Sequence, residues 1–216
     1  MNLDLLKGVR VVESSAFIAA PLAGMTMAQF GADVIRIDLI GGGIDHARMP
    51  VMPGGTSLYW TGLNKGKRSL AVDFRKPDGR ELVRALITAP GPSGGVLLTN
   101  LGTPWLSHAS LVEQRPDLVS CTIEGNADGS TAVDYTVNCA VGFPAITGGG
   151  SPERPVNHVL PAWDLACAYL GFRGRRGRAA ARGHRARRRT SSGAVGRRVL
   201  DGVASRDARR GRAAGS

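Results

Sequence analysis

Cysteine is scarce in this 216-residue chain, and the three present show no pairing pattern. Cys121, Cys139 and Cys167 are odd in number and lack a CxxC spacing, which argues against a disulfide scaffold or a thiolate metal centre. Their apolar or small neighbours predict buried free thiols in a reducing cytoplasm. There are only four histidines, and His158 has no second histidine at ligand spacing, so no metal is expected and a hydrogen-bonded structural role is read for it. No run approaches the roughly eighteen apolar residues of a membrane-spanning helix, so no membrane partner is expected. The opening MNLDLLKG lacks a basic n-region followed by an apolar h-region, so no signal peptide is expected.

Lysine is missing from Gly171 to Ser216, although that segment holds fifteen arginines and only two acids, Asp201 and Asp207. The whole-chain charge of +11 therefore belongs to the end of the chain. With those residues set aside, residues 1–170 carry 13 basic and 15 acidic groups, a net of −2. The body is long enough for one domain with a sizeable core. Residues 171–216 read as an Arg/Ala/Gly-rich tail, expected to be disordered because core-forming residues nearly vanish. One source of such a tail is a basic arm that binds nucleic acid non-specifically. The other is a shifted reading frame near codon 171 of a GC-rich gene, and the missing lysine favours it.

Within the body the periodicity is that of an α/β protein. Val9 to Glu13 is a β-branched strand, Pro21 to Gly31 a helix and Asp33 to Leu39 a second strand, together a βαβ unit with a parallel sheet. The turn between strand and helix reads ESSAFIAAP rather than GxGxxG, so the Rossmann-like architecture is expected without a dinucleotide. Gly41 to Gly55 reads as a flexible surface connection. Strands follow at Ser69–Phe74, Gly94–Leu101 and Leu118–Glu124, with helices at Lys76–Thr88 and Leu106–Gln114. Val133 to Phe143 suits strand or helix equally.

Three places carry chemistry. Asn64, Lys65, Gly66, Lys67 and Arg68 put three cations around a glycine, either a phosphate cradle or a solvated turn. Asn100 sits where a parallel strand ends, the edge at which open α/β sheets bind ligands. Asp164 lies in VNHVLPAWDLACAYL, between an apolar run and a helix. There it either caps the helix or does chemistry from its N-terminus.

GADVIRID, NKGKRSLAVDF, LLTNL and AWDLA, in this order, resemble the family III CoA-transferases. The resemblance covers about residues 5–170 and implies the N-terminal part of that family's large domain. SAFIAAPLAGMT, IGGG, LYWTGLNKGKRS, AVDYTVN and VNHVLPAWD are similar to members that move CoA between the two carboxyl ends of mesaconyl-CoA (2-methylfumaryl-CoA). The resemblance implies Asp164 as a nucleophile that passes through an aspartyl-CoA thioester. It also implies that Ile18 and Ala19 lie near the CoA thiol, Lys67 and Arg68 along the CoA, Asn100 and Leu101 beside its pantetheine arm, and Tyr135 near the acyl group. Coenzyme A is then part of the substrate, with no prosthetic group. Racemases of this class place a histidine before an aspartate, and here Val133 stands in that place, which disfavours racemisation. Members are interlocked homodimers with a second domain absent here, so little or no activity is expected of the 216-residue chain. The alternatives are CoA transfer to another carboxylic acid, or a non-catalytic basic nucleic-acid-binding product.

Overall fold

The computed structural model describes residues 4–126, 128–149, 153–173 and 190–191. Two compact units divide the chain, one from Met1–Ile123 and Leu165–Thr190, the other from Glu124–Asp164 and Ser191–Ser216. The reading of a disordered, frame-shifted tail falls almost wholly outside the described residues.

The first unit is built on a sheet ordered β3-β2-β1-β4-β5-β6, where β1 is Arg10–Ser14, β2 Asp33–Asp38, β3 Arg68–Ala71, β4 Val96–Thr99, β5 Val119–Thr122 and β6 Thr190–Ser191. The pairs β1–β2, β1–β4, β2–β3 and β4–β5 are all parallel. The strands are almost continuous apolar runs, and their alternation fills two cores. Val11, Val34, Val96 and Leu98 pack on one side with Ala20, Ala23 and Met27 of helix α1 (Ala19–Gln29). Val12, Ile35, Ile37 and Leu97 pack on the other with Val83 and Ile87. The last two belong to α3 (Pro77–Thr88), which follows the short α2 (Leu58–Leu63).

Several expectations change. The six-residue α2 was not foreseen; Ser57 caps it, its hydroxyl accepting from the Trp60 N–H at 3.3 Å. The helix expected at Leu106–Gln114 is split at Ser107 into a 3-10 turn, Pro104–Leu106, and α4, His108–Val112. Ser107 starts the second piece by accepting the Ser110 N–H. The ambiguous Val133–Phe143 is helical: α5 spans Asp134–Ala140 and α6 Phe143–Ile146, separated at Gly142 by a left-handed φ of 80°. The last helix, α7, runs Ala162–Arg173.

Gly24, inside α1, is fixed by contact rather than by backbone conformation. A Cβ there would lie 1.7 Å from Glu13 Oε2, and Glu13 is itself held by Lys67. In an exposed helix Gly→Ala gains up to about 1 kcal/mol. Here Gly24→Ala reverses that sign and destabilises by about 1–3 kcal/mol through overpacking. A thermal unfolding midpoint at or above that of the parent shows the contact to be soft.

Candidate functional site

In the first unit the strand order turns away in both directions between β1 and β4, the position at which open parallel sheets form a ligand crevice beyond the strand carboxyl ends. Ser14 ends β1 opposite Thr99, which ends β4. The turn that follows β1 is held by side chains on two successive peptide groups, Ser15–Ala16 and Ala16–Phe17. Arg36 Nη2 donates to the Ser15 carbonyl at 3.1 Å. Asn100 accepts the Ala16 N–H at 2.9 Å and donates back to the Ala16 carbonyl at 2.8 Å, spanning the crevice. Asp45 Oδ2 accepts the Phe17 N–H at 2.9 Å. Phe17 has a φ of 67°, a left-handed conformation unfavourable for a side chain with a Cβ, and these bonds hold it there.

Asp45 corrects the reading of Gly41–Gly55 as a flexible connection. Its carboxylate is buried against Arg36 Nη2 at 3.1 Å, so the loop is tied to the sheet. Arg36 itself is 1% exposed and meets Asp38 at 2.9 Å, Asp45, Asn64 at 3.1 Å and, more distantly, Glu13 at 3.7 Å. Burial alone would lower the guanidinium pKa, but the hydrogen bond and charge of Asp38, with Glu13 and Asp45, outweigh it and hold the value above the ordinary one.

Neighbouring cations of the NKGKR segment go to opposite environments. Lys67 turns inward, and its ammonium donates at 2.8 Å each to Glu13, the Pro21 carbonyl and Asn64. Burial draws its pKa below the ordinary lysine value, opposed mainly by Glu13. An ammonium has three donors and all three have protein acceptors, so Lys67 supports the turn rather than presenting a free cation. Arg68 is exposed and pairs with Asp33 at 3.2 Å. Ile18 and Ala19 are buried at the start of α1, where no side chain caps the helix, so their side chains are enclosed and the first backbone N–H groups have no side-chain cap. The Asn100 amide serves the Ala16 backbone in both directions, and the Leu101 N–H bonds the Thr99 hydroxyl at 3.0 Å.

The second unit holds Asp164, in the first turn of α7. It is not the cap of that helix. The cap is Asp134, the first residue of α5: its Oδ2 accepts the N–H groups of Trp163 at 2.7 Å and Asp164 at 3.1 Å. Ala162 N–H bonds the Leu160 carbonyl, so the first three donors of α7 all have acceptors within the protein. These three N–H groups are therefore engaged within the protein. Asp134 is 6% exposed and its Oδ1 has no hydrogen-bond partner among the described residues.

Asn138, one turn along α5 and fully buried, organises the segment before Asp164. It donates to Asn157, accepts from Trp163 Nε1 at 3.4 Å, and meets His158 Nε2 at 3.0 Å, which bears out a structural, hydrogen-bonded histidine. The apolar residues ahead of Asp164 do not enclose it as their sequence suggested: Val159 is 93% exposed and Leu160 is exposed. Tyr135 is 46% exposed in the first turn of α5. No group of three or more metal-ligating side chains occurs among the described residues. No helix there is long and apolar enough to cross a membrane.

Of the thiols expected to be buried, Cys121 is buried, whereas Cys167 is half-buried and Cys139 exposed. Burial raises the Cys121 pKa from 9.0 to about 11. A raised value means that the folded protein keeps a proton the unfolded chain releases. Cys121 thus contributes stability that is complete below pH 9 and lost as pH rises through about 11. At pH 8, iodoacetamide should modify Cys139 rapidly and Cys121 only after denaturation; equal rates by peptide mass spectrometry contradict that burial.

The sequence model of CoA-transferase family III matches residues 6–195. The chain is 53% identical over 168 residues to a 2-methylfumaryl-CoA isomerase of Chloroflexus aurantiacus, a match covering 77% of this chain and 41% of the relative. A succinate–glutarate CoA-transferase of Agrobacterium fabrum is 33% identical over 69% of this chain and 41% of its own. A formyl-CoA:oxalate CoA-transferase of Afipia carboxidovorans is 30% identical over 66% of this chain and 35% of its own. The chain thus spans about two fifths of the length of these relatives. Among solved structures, a CAIB/BAIF family protein of Brucella suis superposes with TM-score 0.69 at 26% identity, over 82% of this chain and 50% of that one. A Mycobacterium tuberculosis protein shares the fold at TM-score 0.78 and 20% identity, over 93% of this chain and 58% of that one.

Proposed function

The chain belongs to CoA-transferase family III, and from that premise we propose that it carries the nucleophile and CoA-binding edge of an enzyme that moves CoA between the two carboxyl groups of 2-methylfumaryl-CoA. The observation that carries this reading is Asp164, in the first turn of α7 with its own backbone N–H fixed by the buried Asp134. The relatives' names print 2-methylfumaryl, succinate, glutarate and oxalate, all dicarboxylic, beside one monocarboxylic group, formyl. When one end is a thioester the other remains a carboxylate, able to act as the second acceptor.

The exchange is covalent catalysis divided into steps that need no redox partner and no net proton. The Asp164 carboxylate attacks the C1 thioester carbonyl, the C–S bond breaks, and CoA thiolate leaves a mixed anhydride. The thiolate attacks the Asp164 carbonyl carbon of that anhydride and releases 2-methylfumarate, leaving an aspartyl-CoA thioester. The C4 carboxylate then attacks the aspartyl carbonyl and expels the thiolate, and the thiolate attacks the C4 carbonyl and frees Asp164. A carboxylate suits both directions because it serves as nucleophile and leaving group.

Asp134 acts as a positioning residue, holding the peptide groups on either side of the Trp163–Asp164 bond. In the first unit, the backbone at Ile18 and Ala19, the Asn100–Leu101 strand end and Arg68 form the proposed CoA-facing edge. Lys67 acts there from behind, by fixing Asn64 and the start of α1. Tyr135 is assigned to the acyl group. Transfer to a separate carboxylic acid uses the same aspartyl-CoA thioester and differs only in the acceptor. The test is 2-methylfumaryl-CoA labelled with carbon-13 at C1 and incubated with the chain in excess: the thioester signal should leave C1 as it appears at C4. Little or no repeated turnover is expected of this chain, so a single turnover is read; a label that stays at C1 in thioester form, with no CoA taken up by Asp164, refutes the isomerase reading.

A further inference from the structure

Arg48 lies at the mouth of the turn that follows β1, and its surroundings differ from those of the other arginines of the first unit. Its guanidinium stands over the Tyr59 ring at 4.8 Å and over the Phe17 ring at 5.4 Å. Arg36, Arg68 and Arg115 each pair with an acid, whereas Arg48 has no carboxylate or other side-chain hydrogen-bond partner among the described residues. Both rings are themselves exposed.

The arrangement is fixed from behind by Asp45. That residue holds the Phe17 N–H, and with it the left-handed φ of 67° that sets the start of the Phe17 side chain. Its backbone carbonyl also accepts the Arg48 N–H at 3.2 Å. One buried residue therefore anchors both the arginine and one of its flanking rings. A planar guanidinium held by aromatic faces has lost much of its rotamer freedom before a ligand arrives, and its N–H fork remains open at the edge. Such a fork matches a planar two-oxygen anion.

We propose that Arg48 binds the free carboxylate of a dicarboxylic acyl group, and so selects dicarboxylic over monocarboxylic acyl-CoA. This rests on the CoA-transfer reading, in which one carboxylate always remains uncombined while the other is a thioester. A bare carboxylate set against the Phe17 and Tyr59 rings loses hydration and requires a cation. Arg48 supplies that cation one residue away, across Phe17, from the Ile18–Ala19 backbone assigned to the CoA thiol. A phosphate of CoA offers similar anionic oxygens, so the test separates the two sources.

The side-chain Nε–H signal of Arg48 is identified in a proton–nitrogen NMR spectrum of the full chain by its loss in Arg48→Met. Free 2-methylfumarate (mesaconate) should shift that signal saturably at constant ionic strength, while equal concentrations of chloride and inorganic phosphate leave it nearly in place. Equal shifts with all three anions, or none with mesaconate, overturn the proposal. In a second arm, affinities for 2-methylfumaryl-CoA and tiglyl-CoA, which has the same branched skeleton without the second carboxylate, are compared by calorimetry. The chain should prefer the first by about tenfold or more, the scale of a charge-assisted hydrogen bond. Arg48→Met should bring the ratio near one, and Arg48→Lys, which keeps charge without the fork, should restore only part of it. A preference that survives Arg48→Met overturns the proposal. If neither thioester binds while mesaconate still shifts Arg48, the CoA reading fails and the carboxylate site stands.

Discussion

Arg36→Met leaves the protein largely unfolded in dilute buffer. The guanidinium is the cation around which Glu13, Asp38 and Asp45 are buried, and all three remain when it is removed. Breaking one buried ion pair by deleting a single partner costs about 3–5 kcal/mol. A folded domain of this kind has only about 5–15 kcal/mol in total. Removing the partner shared by three carboxylates therefore consumes most of that margin. Arg36→Lys should be less severe, because a point charge persists while the bidentate contact to Asp38 and the bond to Ser15 are lost. Adding Asp38→Asn and Asp45→Asn to Arg36→Met should recover part of the stability by removing uncompensated charge. Urea unfolding followed by circular dichroism reads all four proteins. A midpoint for Arg36→Met close to that of the parent shows that water, rather than Arg36, satisfies the acids.

The second large effect falls on chemistry. Asp164→Asn keeps the shape of the side chain but replaces a carboxylate that can attack and leave with an amide that does neither efficiently. Rates of CoA exchange should fall by about four orders of magnitude or more, as when a group that acts covalently is removed. The cap provides the control. Asp134→Asn retains an oxygen able to accept the Trp163 and Asp164 N–H groups, so it should reduce exchange far less than Asp134→Ala, which leaves both donors unpaired. If Asp134→Asn and Asp134→Ala are equally impaired, the charge of Asp134 matters rather than its placement of the nucleophile. If Asp164→Asn retains exchange, another residue carries the acyl transfer.

The elements legible in the sequence were those whose signal is local. Val11–Val12, Val34–Ile37 and Leu97–Leu98 announce buried parallel strands because both faces of each strand are covered. The sheet edge at Asn100 was legible for the same reason, since a polar amide closing an apolar run marks a strand end. What was not legible depends on partners distant in the chain. Asp45 in a glycine-rich loop looks solvated until Arg36 and Phe17 are seen to converge on it. Asp134 caps a helix about thirty residues further on, and no spacing rule connects the two. Lys67 and Arg68 are adjacent and chemically alike, yet the first is enclosed by Glu13, Asn64 and Pro21 while the second meets solvent. At the entry to a strand, neighbouring side chains take opposite directions, and only the residues waiting on each side decide which cation is buried. Family resemblance pointed to Asp164, but the residue that holds its backbone became visible only in the fold.

The central claim, that Asp164 carries CoA, is tested most directly by mass spectrometry of the full chain after brief mixing with excess 2-methylfumaryl-CoA and quenching in acid. The added mass of CoA, less one water, should appear on the peptide containing Asp164, removable by hydroxylamine and absent from Asp164→Asn. An unmodified Asp164 in a sample that has nevertheless exchanged CoA, or the same mass on a different residue, contradicts it.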